Sequence, residues 1–358
     1  GGIILHQCGI GESIYDFASK WLGWMPGGLA IATIVACALM SAMVGASSAV
    51  AAAMAMIAVP SMLKRGYSKE LTYGSIGGGA IGVLIPPSAG LVVYGFLTNT
   101  SVGALFSAAI IPSVMVVLGF MIYVSFRCTI KKDGKRELVS WPERWQSLAR
   151  ALPALFAPIL VLGGIYGGWF TPTEASGIFV IYSLLTGFYY VKMSWQKFRT
   201  IITESSLIGA SIMMIIFGGS LLGHAFAQLR IPRMATEWVL SLDISVSMII
   251  ALIFIMYLVL GLFLDTVTLT LLTVPVLYPM MPALGIDIIV FGVLWMLLAE
   301  IAHITPPVGV NLFMIRTVTK DHIGIISRGQ VPFIIVLLIA AIIVVAFPQT
   351  ALWLPSLR

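Results

Sequence analysis

The sequence predicts an all-α polytopic membrane protein: an inverted repeat of one helical unit, with two re-entrant helical hairpins and two broken helices. Three observations carry this: apolar runs of membrane-crossing length, basic residues gathered on one side of them, and landmarks that recur at a fixed interval. Hydrophobic residues fill 59% of the 358 positions and charged residues 9%, against roughly 25% charged in soluble domains. The runs 110–126, 152–169, 205–226, 246–264 and 331–347 approach or reach the roughly 20 apolar residues that cross a hydrocarbon core as a helix. Lipid offers the backbone no hydrogen-bond partner, so only helices or closed barrels cross it, and these runs lack the period-2 alternation of barrel strands.

Lys and Arg set the orientation. With the basic segment 127–150 in the cytoplasm, Lys20, Lys64, Arg65, Lys69, Arg127, Lys131, Lys132, Lys135, Arg136, Arg144, Arg150, Lys192, Lys197, Arg199, Arg316, Lys320 and Arg328 fall inside. Only Arg230, Arg233 and Arg358 fall outside. This positive-inside pattern emerges only if two apolar regions enter and leave on the same side. The first hairpin, 27–63, has its tip at Gly45-Ala46-Ser47-Ser48 and opens to the cytoplasm. The second, 244–281, has its tip at Leu264-Asp265-Thr266 and opens to the periplasm, where the C-terminus also lies. Segment 127–150, with Trp141 and Trp145 among basic residues, reads as an amphipathic linker at the interface.

The repeat is read from register. Pro60 and Pro279, Gly66 and Gly285, Pro86-Pro87 and Pro306-Pro307, and Pro112 and Pro332 are 219 or 220 residues apart. An odd number of crossings between the copies makes the repeat inverted, as in many secondary transporters. The first repeat occupies 1–126, with its broken helix at 70–97, and the second 151–358, with its broken helix at 288–315. Helices of the second repeat between 152 and 202 have counterparts that would precede Gly1.

The chemistry is expected at the breaks. Gly77-Gly78-Gly79 and then Gly82 lead into Pro86-Pro87-Ser88; the prolines remove amide donors and the glycines weaken the helix. Freed carbonyls facing a polar cavity suit a hard cation. Thr305-Pro306-Pro307-Val308-Gly309-Val310-Asn311 repeats the device. Each break is expected to face its own hairpin tip, where Gly45, Ser47 and Ser48, or Gly261, Asp265 and Thr266, add oxygens. Ser47 and Ser48 also read as small packing residues, and Asp265 as a helix cap, although a carboxylate within the membrane is costly enough to suggest function. Glu300 and His303 either face the substrate cavity or pair with each other. Thr171-Pro172-Thr173-Glu174 reads as a helix start, and His224 as an interior or interface histidine.

Several function classes are disfavoured. Cys8, Cys37 and Cys128 form no CxxC pair and read as packing residues; no transition-metal centre is indicated. The net charge of +6 has no soluble basic domain to direct it at nucleic acid. No GxxxxGK[ST] loop occurs, so the energy source is an ion gradient rather than ATP. A membrane-embedded enzyme using Glu300, His303 and Asp265, and a channel, are the remaining alternatives.

The runs Gly45-Ala46-Ser47-Ser48-Ala49-Val50-Ala51, Gly82-Val83-Leu84-Ile85-Pro86-Pro87-Ser88, Phe170-Thr171-Pro172-Thr173-Glu174-Ala175, Gly285-Ile286-Asp287 with Phe291-Gly292-Val293, and 304–313 resemble, in order and spacing, the large membrane subunit of TRAP (tripartite ATP-independent periplasmic) transporters. The resemblance implies sodium-coupled uptake of a small organic anion, a carboxylate, sialic acid or sulfonate, by an elevator motion. It also implies a periplasmic substrate-binding protein and a small four-helix membrane subunit as partners, and Na+ as the coupling ion. By motif position, Gly45, Ser47, Ser48, Gly82, Pro86 and Ser88 would carry one sodium site; Gly261, Asp265, Thr266, Thr305, Pro306 and Gly309 would carry the other. Ser48, Ser88, Glu300, His303 and Asn311 would line the substrate cavity. This chain departs from the family at Leu298-Ala299-Glu300-Ile301-Ala302-His303, where the family often has an Asn-containing segment with a Gly. The nearest alternative is a two-hairpin dicarboxylate symporter or ion antiporter that works without a binding protein.

Overall fold

The computed structural model describes residues 1–136, 139–190, 193–242 and 244–357; Lys192 and Arg358, used above for orientation, lie outside the described residues. Among the described residues every regular element is helical. The α-helices are α1 (Gly2–Gln7), α2 (Ile10–Leu22), α3 (Gly28–Val44), α4 (Ser47–Lys64), α5 (Lys69–Gly79), α6 (Ala89–Thr98), α7 (Val102–Lys131), α8 (Trp141–Tyr166), α9 (Pro172–Tyr190), α10 (Trp195–Gln228), α11 (Ile231–Ser241), α12 (Val246–Gly261), α13 (Thr266–Leu277), α14 (Ile288–Ile304), α15 (Val310–Thr319), α16 (Ile323–Ala346) and α17 (Gln349–Ser356). Of these, α4, α7, α8, α10 and α16 are long and apolar enough to cross a bilayer.

Local chemistry ends and starts these helices where the sequence suggests. Gly45 takes a left-handed φ of 69° and turns α3 into α4 through two residues. Gly66 and Gly285, at φ 81° and 72°, make equivalent turns ahead of α5 and α14. Both double prolines lie in the breaks, between α5 and α6 and between α14 and α15. Left-handed Asn99 and Lys320 then end α6 and α15, and Ser101 and His322 cap α7 and α16. Thr171 and Glu174 exchange hydrogen bonds as a capping box that opens α9.

Segment 127–150 is not a free-standing linker helix. α7 runs on to Lys131, and Trp141 already opens α8, with Pro142 in its first turn, so only 132–140 connects the two. Trp21 of α2 packs edge-on against Trp141 and Trp145, and the Arg144 guanidinium lies 5.1 Å over the Trp141 ring.

With the helices up to α7 taken as one unit and those from α8 onward as the other, the two interlock rather than stand apart. α4 packs on α15, α13 on α6, α5 on α16, and α14 on α7, so each unit's helices are covered by the other's. The closest crossing joins α5 and α16. A Cβ on Gly74 would lie 2.3 Å from the Gly329 carbonyl oxygen, and one on Gly329 would lie 2.2 Å from that of Glu70. Beside it Gln330 Nε2 donates to the Tyr73 carbonyl at 2.8 Å, and one turn on a Cβ on Gly78 would overlap the Phe333 ring. Small residues let the backbones touch where lipid supplies no hydrophobic drive. At the end of this crossing Asp321 accepts from Lys69 at 3.0 Å and from the Tyr73 hydroxyl; these donors, Lys69 first, hold its carboxyl below the usual range.

Gly74→Val or Gly329→Val is expected to force these helices apart at a cost of roughly 1–3 kcal/mol or more, read as a lower thermal midpoint of the detergent-purified protein. Gly163→Val, at a position with open space around it, should leave the midpoint unchanged; equal midpoints for all three variants would contradict the close crossing.

Candidate functional site

The first hairpin tip meets the first break through backbone. A Cβ on Gly82 would lie 3.0 Å from Ser47 N and 3.1 Å from the Ala46 carbonyl carbon; one on Gly45 would lie 3.5 Å from Ala89 N and 3.8 Å from the Pro87 carbonyl oxygen. Glycine at both positions is what admits this approach. Ser47 is buried and Ser48 half-buried. Ser88 spends its hydroxyl locally: it donates to the Val83 carbonyl and accepts from Leu91 N, capping α6.

The second tip is built differently. Asp265 is exposed and serves as the N-cap of α13, accepting from Val267 N at 3.0 Å, Thr268 N at 3.4 Å and the Thr268 hydroxyl at 2.5 Å. Of the readings open for Asp265, the cap is the one whose contacts are present. Thr266 is buried, and Gly261 lies against Ala302, where an added Cβ would come within 2.4 Å of the alanine's own. In the second break the Thr305 hydroxyl donates to the Ile301 carbonyl at 2.5 Å. A Cβ on Gly309 would lie 2.6 Å from the His303 carbonyl oxygen and 2.9 Å from that of Thr305, so only glycine lets these carbonyls close over the turn.

Glu300 joins the two regions. One carboxylate oxygen accepts from the Ser47 hydroxyl at 2.6 Å and from Val83 N at 2.7 Å. Its other oxygen lies 3.8 Å from His303 Nδ1, and His303 Nε2 lies 3.3 Å from the Thr266 hydroxyl. Polar groups thus line up from the first tip and first break, past two residues of α14, to the second tip, with Glu300 and His303 close but not hydrogen-bonded and His303 Nδ1 buried without a partner. Glu300 is 1% exposed, and among the described residues no Lys or Arg comes within ion-pairing distance of it. The first break reaches the second tip as well: a Cβ on Gly90 would lie 3.3 Å from Thr266 Cγ2. Just beyond the second break, Asn311 is fully buried with both amide atoms unpartnered.

The expected pairing of each tip with its own break therefore holds for the first tip, but a carboxylate from the other unit completes the contact. One sequence signal pointed there. The 220-residue interval maps Glu300 onto Ala80, so the carboxylate has no counterpart and breaks the repeat where its two copies meet. Hydroxyl, carbonyl and carboxylate oxygens are the donors hard cations take. No grouping suited to a transition metal occurs among the described residues.

Glu300→Ala strands the Val83 N–H and the Ser47 hydroxyl in a buried site, a loss of about 1–3 kcal/mol for each unsatisfied group. Glu300→Gln keeps one acceptor oxygen and should lose less. Thermal unfolding in detergent orders the proteins wild type, Gln, Ala; coincident midpoints would remove the cross-unit contact.

The profile described as the DctM component of the tripartite ATP-independent periplasmic transporter matches residues 1–350. The C4-dicarboxylate TRAP transporter large permease protein DctM of Pseudomonas aeruginosa is 35% identical over 357 residues, covering 99% of this chain and 84% of that protein. The sialic acid TRAP transporter large permease protein SiaM of Vibrio cholerae is 34% identical over 360 residues, with the same 99% and 84% coverage. Among solved structures, the YdaH transporter of Alcanivorax borkumensis, described as having an unusual topology, superposes with a TM-score of 0.57 at 15% identity, over 98% of this chain and 86% of that one. That likeness extends to the fold alone. Apolar helices of membrane-crossing length and a family match over nearly the whole sequence identify a multi-pass inner-membrane protein, and the chain belongs to the large permease subunits of the TRAP transporters.

Proposed function

We propose that this subunit imports a small organic anion, a carboxylate, sialic acid or sulfonate, in symport with Na+. A periplasmic substrate-binding protein delivers the anion and a small four-helix subunit braces the complex. The observation that carries the reading is the line of buried polar groups from Ser47 and Val83 through Glu300 and His303 to Thr266, set between the first tip and its proline break on one side and the second tip on the other. One cation site draws on Gly45, Ser47, Ser48 and the carbonyls of 82–88. The other draws on Gly261, Thr266 and the carbonyls of 305–309, with Asp265 fixing the start of α13 and supplying negative potential. The moving unit comprises α3 to α6 and α12 to α15; the remaining helices form the scaffold, with 132–140 in the cytoplasm and the C-terminus in the periplasm. A positive charge moved inward through 100 mV yields about 2.3 kcal/mol, so two or more Na+ entering with one monoanion support accumulation. Sodium orders the tips and breaks, and the ordered site then favours the anion.

Sodium-gradient uptake in proteoliposomes holding both membrane subunits and the binding protein tests this reading. Ser48→Ala and Asp265→Ala should each raise the half-saturating sodium concentration several-fold in protein that still folds. An unchanged sodium response in both would remove the site assignment. Uptake that persists without the binding protein would favour the binding-protein-independent two-hairpin carriers.

A further inference from the structure

A cleft of about 850 Å³ lies between α10 and α11 on one wall and the ends of α6 and α13 on the other. Its size falls within the range of small-molecule sites, about 300–1,000 Å³. Arg230 and Arg233 both line it, and they are the two described basic residues that the charge pattern leaves on the outer side. The cleft's charged groups do not cancel. Arg233 is neutralised by Glu237 at 2.8 Å, whereas Arg230 has no carboxylate within ion-pairing distance among the described residues. His224, exposed on the cleft wall rather than interior, faces Gln228 at 3.2 Å.

Arg230 is held there against two costs. Its φ of 56° is left-handed, a conformation that is unfavourable for L residues and that glycine adopts freely. It also places a positive charge on the side where such charges are scarce. The opposite wall ends in Tyr278, on the chain that leads back through α13 to Thr266. An anion in the cleft would touch both the helices carrying Arg230 and the unit carrying the second tip.

We infer that this cleft captures the small anion ahead of the hairpin tips, with Arg230 as its charge-bearing contact. The inference rests on the import reading and orientation proposed above. A pocket walled by low-dielectric helices concentrates the field of its one uncompensated cation and so raises the local concentration of a carboxylate or sulfonate.

The test separates capture from transport. In the purified membrane complex, with no gradient and no binding protein, phenylglyoxal labelling of Arg230 is followed by mass spectrometry. Succinate, N-acetylneuraminate and isethionate serve as probes. At least one probe should slow labelling of Arg230 three-fold or more while Arg199 labels at its usual rate; no protection by any probe overturns the inference, whatever uptake shows. In reconstituted uptake with the protecting anion, Arg230→Gln should raise half-saturation five-fold or more with maximal rate and sodium dependence within two-fold of wild type, and Arg230→Lys should restore most of the loss. Ser220→Asp, a second variant that adds negative charge to the cleft lining, should act in the same direction. Unchanged half-saturation in both Arg230→Gln and Ser220→Asp, or equal loss of maximal rate in the Gln and Lys variants, would overturn the role of Arg230. Equal weakening of empty and loaded binding protein by Arg230→Gln would assign the arginine to protein docking instead, and would also overturn it.

Discussion

The buried carboxylate of Glu300 is the constraint around which the centre of this molecule is arranged. A carboxyl group in an apolar interior is tolerated when its oxygens are hydrogen-bonded, and the donors nearest to it come from the opposite unit, the Ser47 hydroxyl and the Val83 amide. The Val83 amide is available because the helix has already broken after Gly79. The glycines that let the tip and break approach, Gly45 and Gly82, are thus conditions for satisfying a carboxyl group that arrives from α14. Without the break, Val83 N–H would be consumed within a continuous helix and the carboxylate would lose a partner.

Much of this was legible in the sequence because it depends on neighbours in the chain. Turns at Gly45, Gly66 and Gly285, breaks at two double prolines, and the start of α9 at Thr171 follow from residues acting within a turn of helix. The bond from Ser47 to Glu300, 253 residues apart, depends on how helices cross, and no periodicity encodes that. Asp265 shows the same boundary from the other side. Its cost within a membrane argued for function, yet its partners are the Thr268 hydroxyl and the amides two and three residues on, a local cap that any Asp before a helix can make. Segment 127–150 falls largely within the ends of α7 and α8, because basic residues and tryptophans mark an interface without marking where a helix ends.

Some positions about 220 residues apart share backbone roles as well as residue identity. Ser68 and Asp287 precede α5 and α14, and Asn99 and Lys320 both turn left-handed at the ends of α6 and α15 although their side chains share nothing. The copies diverge in the polar residues near the centre, where Glu300 and His303 align with Ala80 and Val83 at the 220-residue interval. At that interval some backbone turns recur while the central polar residues do not.

Interlocking of the two units also has a consequence for biogenesis. The helix that covers α4 is α15, and the carboxylate that meets Ser47 is carried by α14, so a nascent chain inserted only as far as α7 has neither. At roughly 5–20 residues per second, the 253 residues between Ser47 and Glu300 take about 13 to 50 s to synthesise. For that interval the first tip sits in the membrane with its hydroxyl and the Val83 amide waiting for a late-made partner, and it relies on lipid, water or the insertion machinery to shield them.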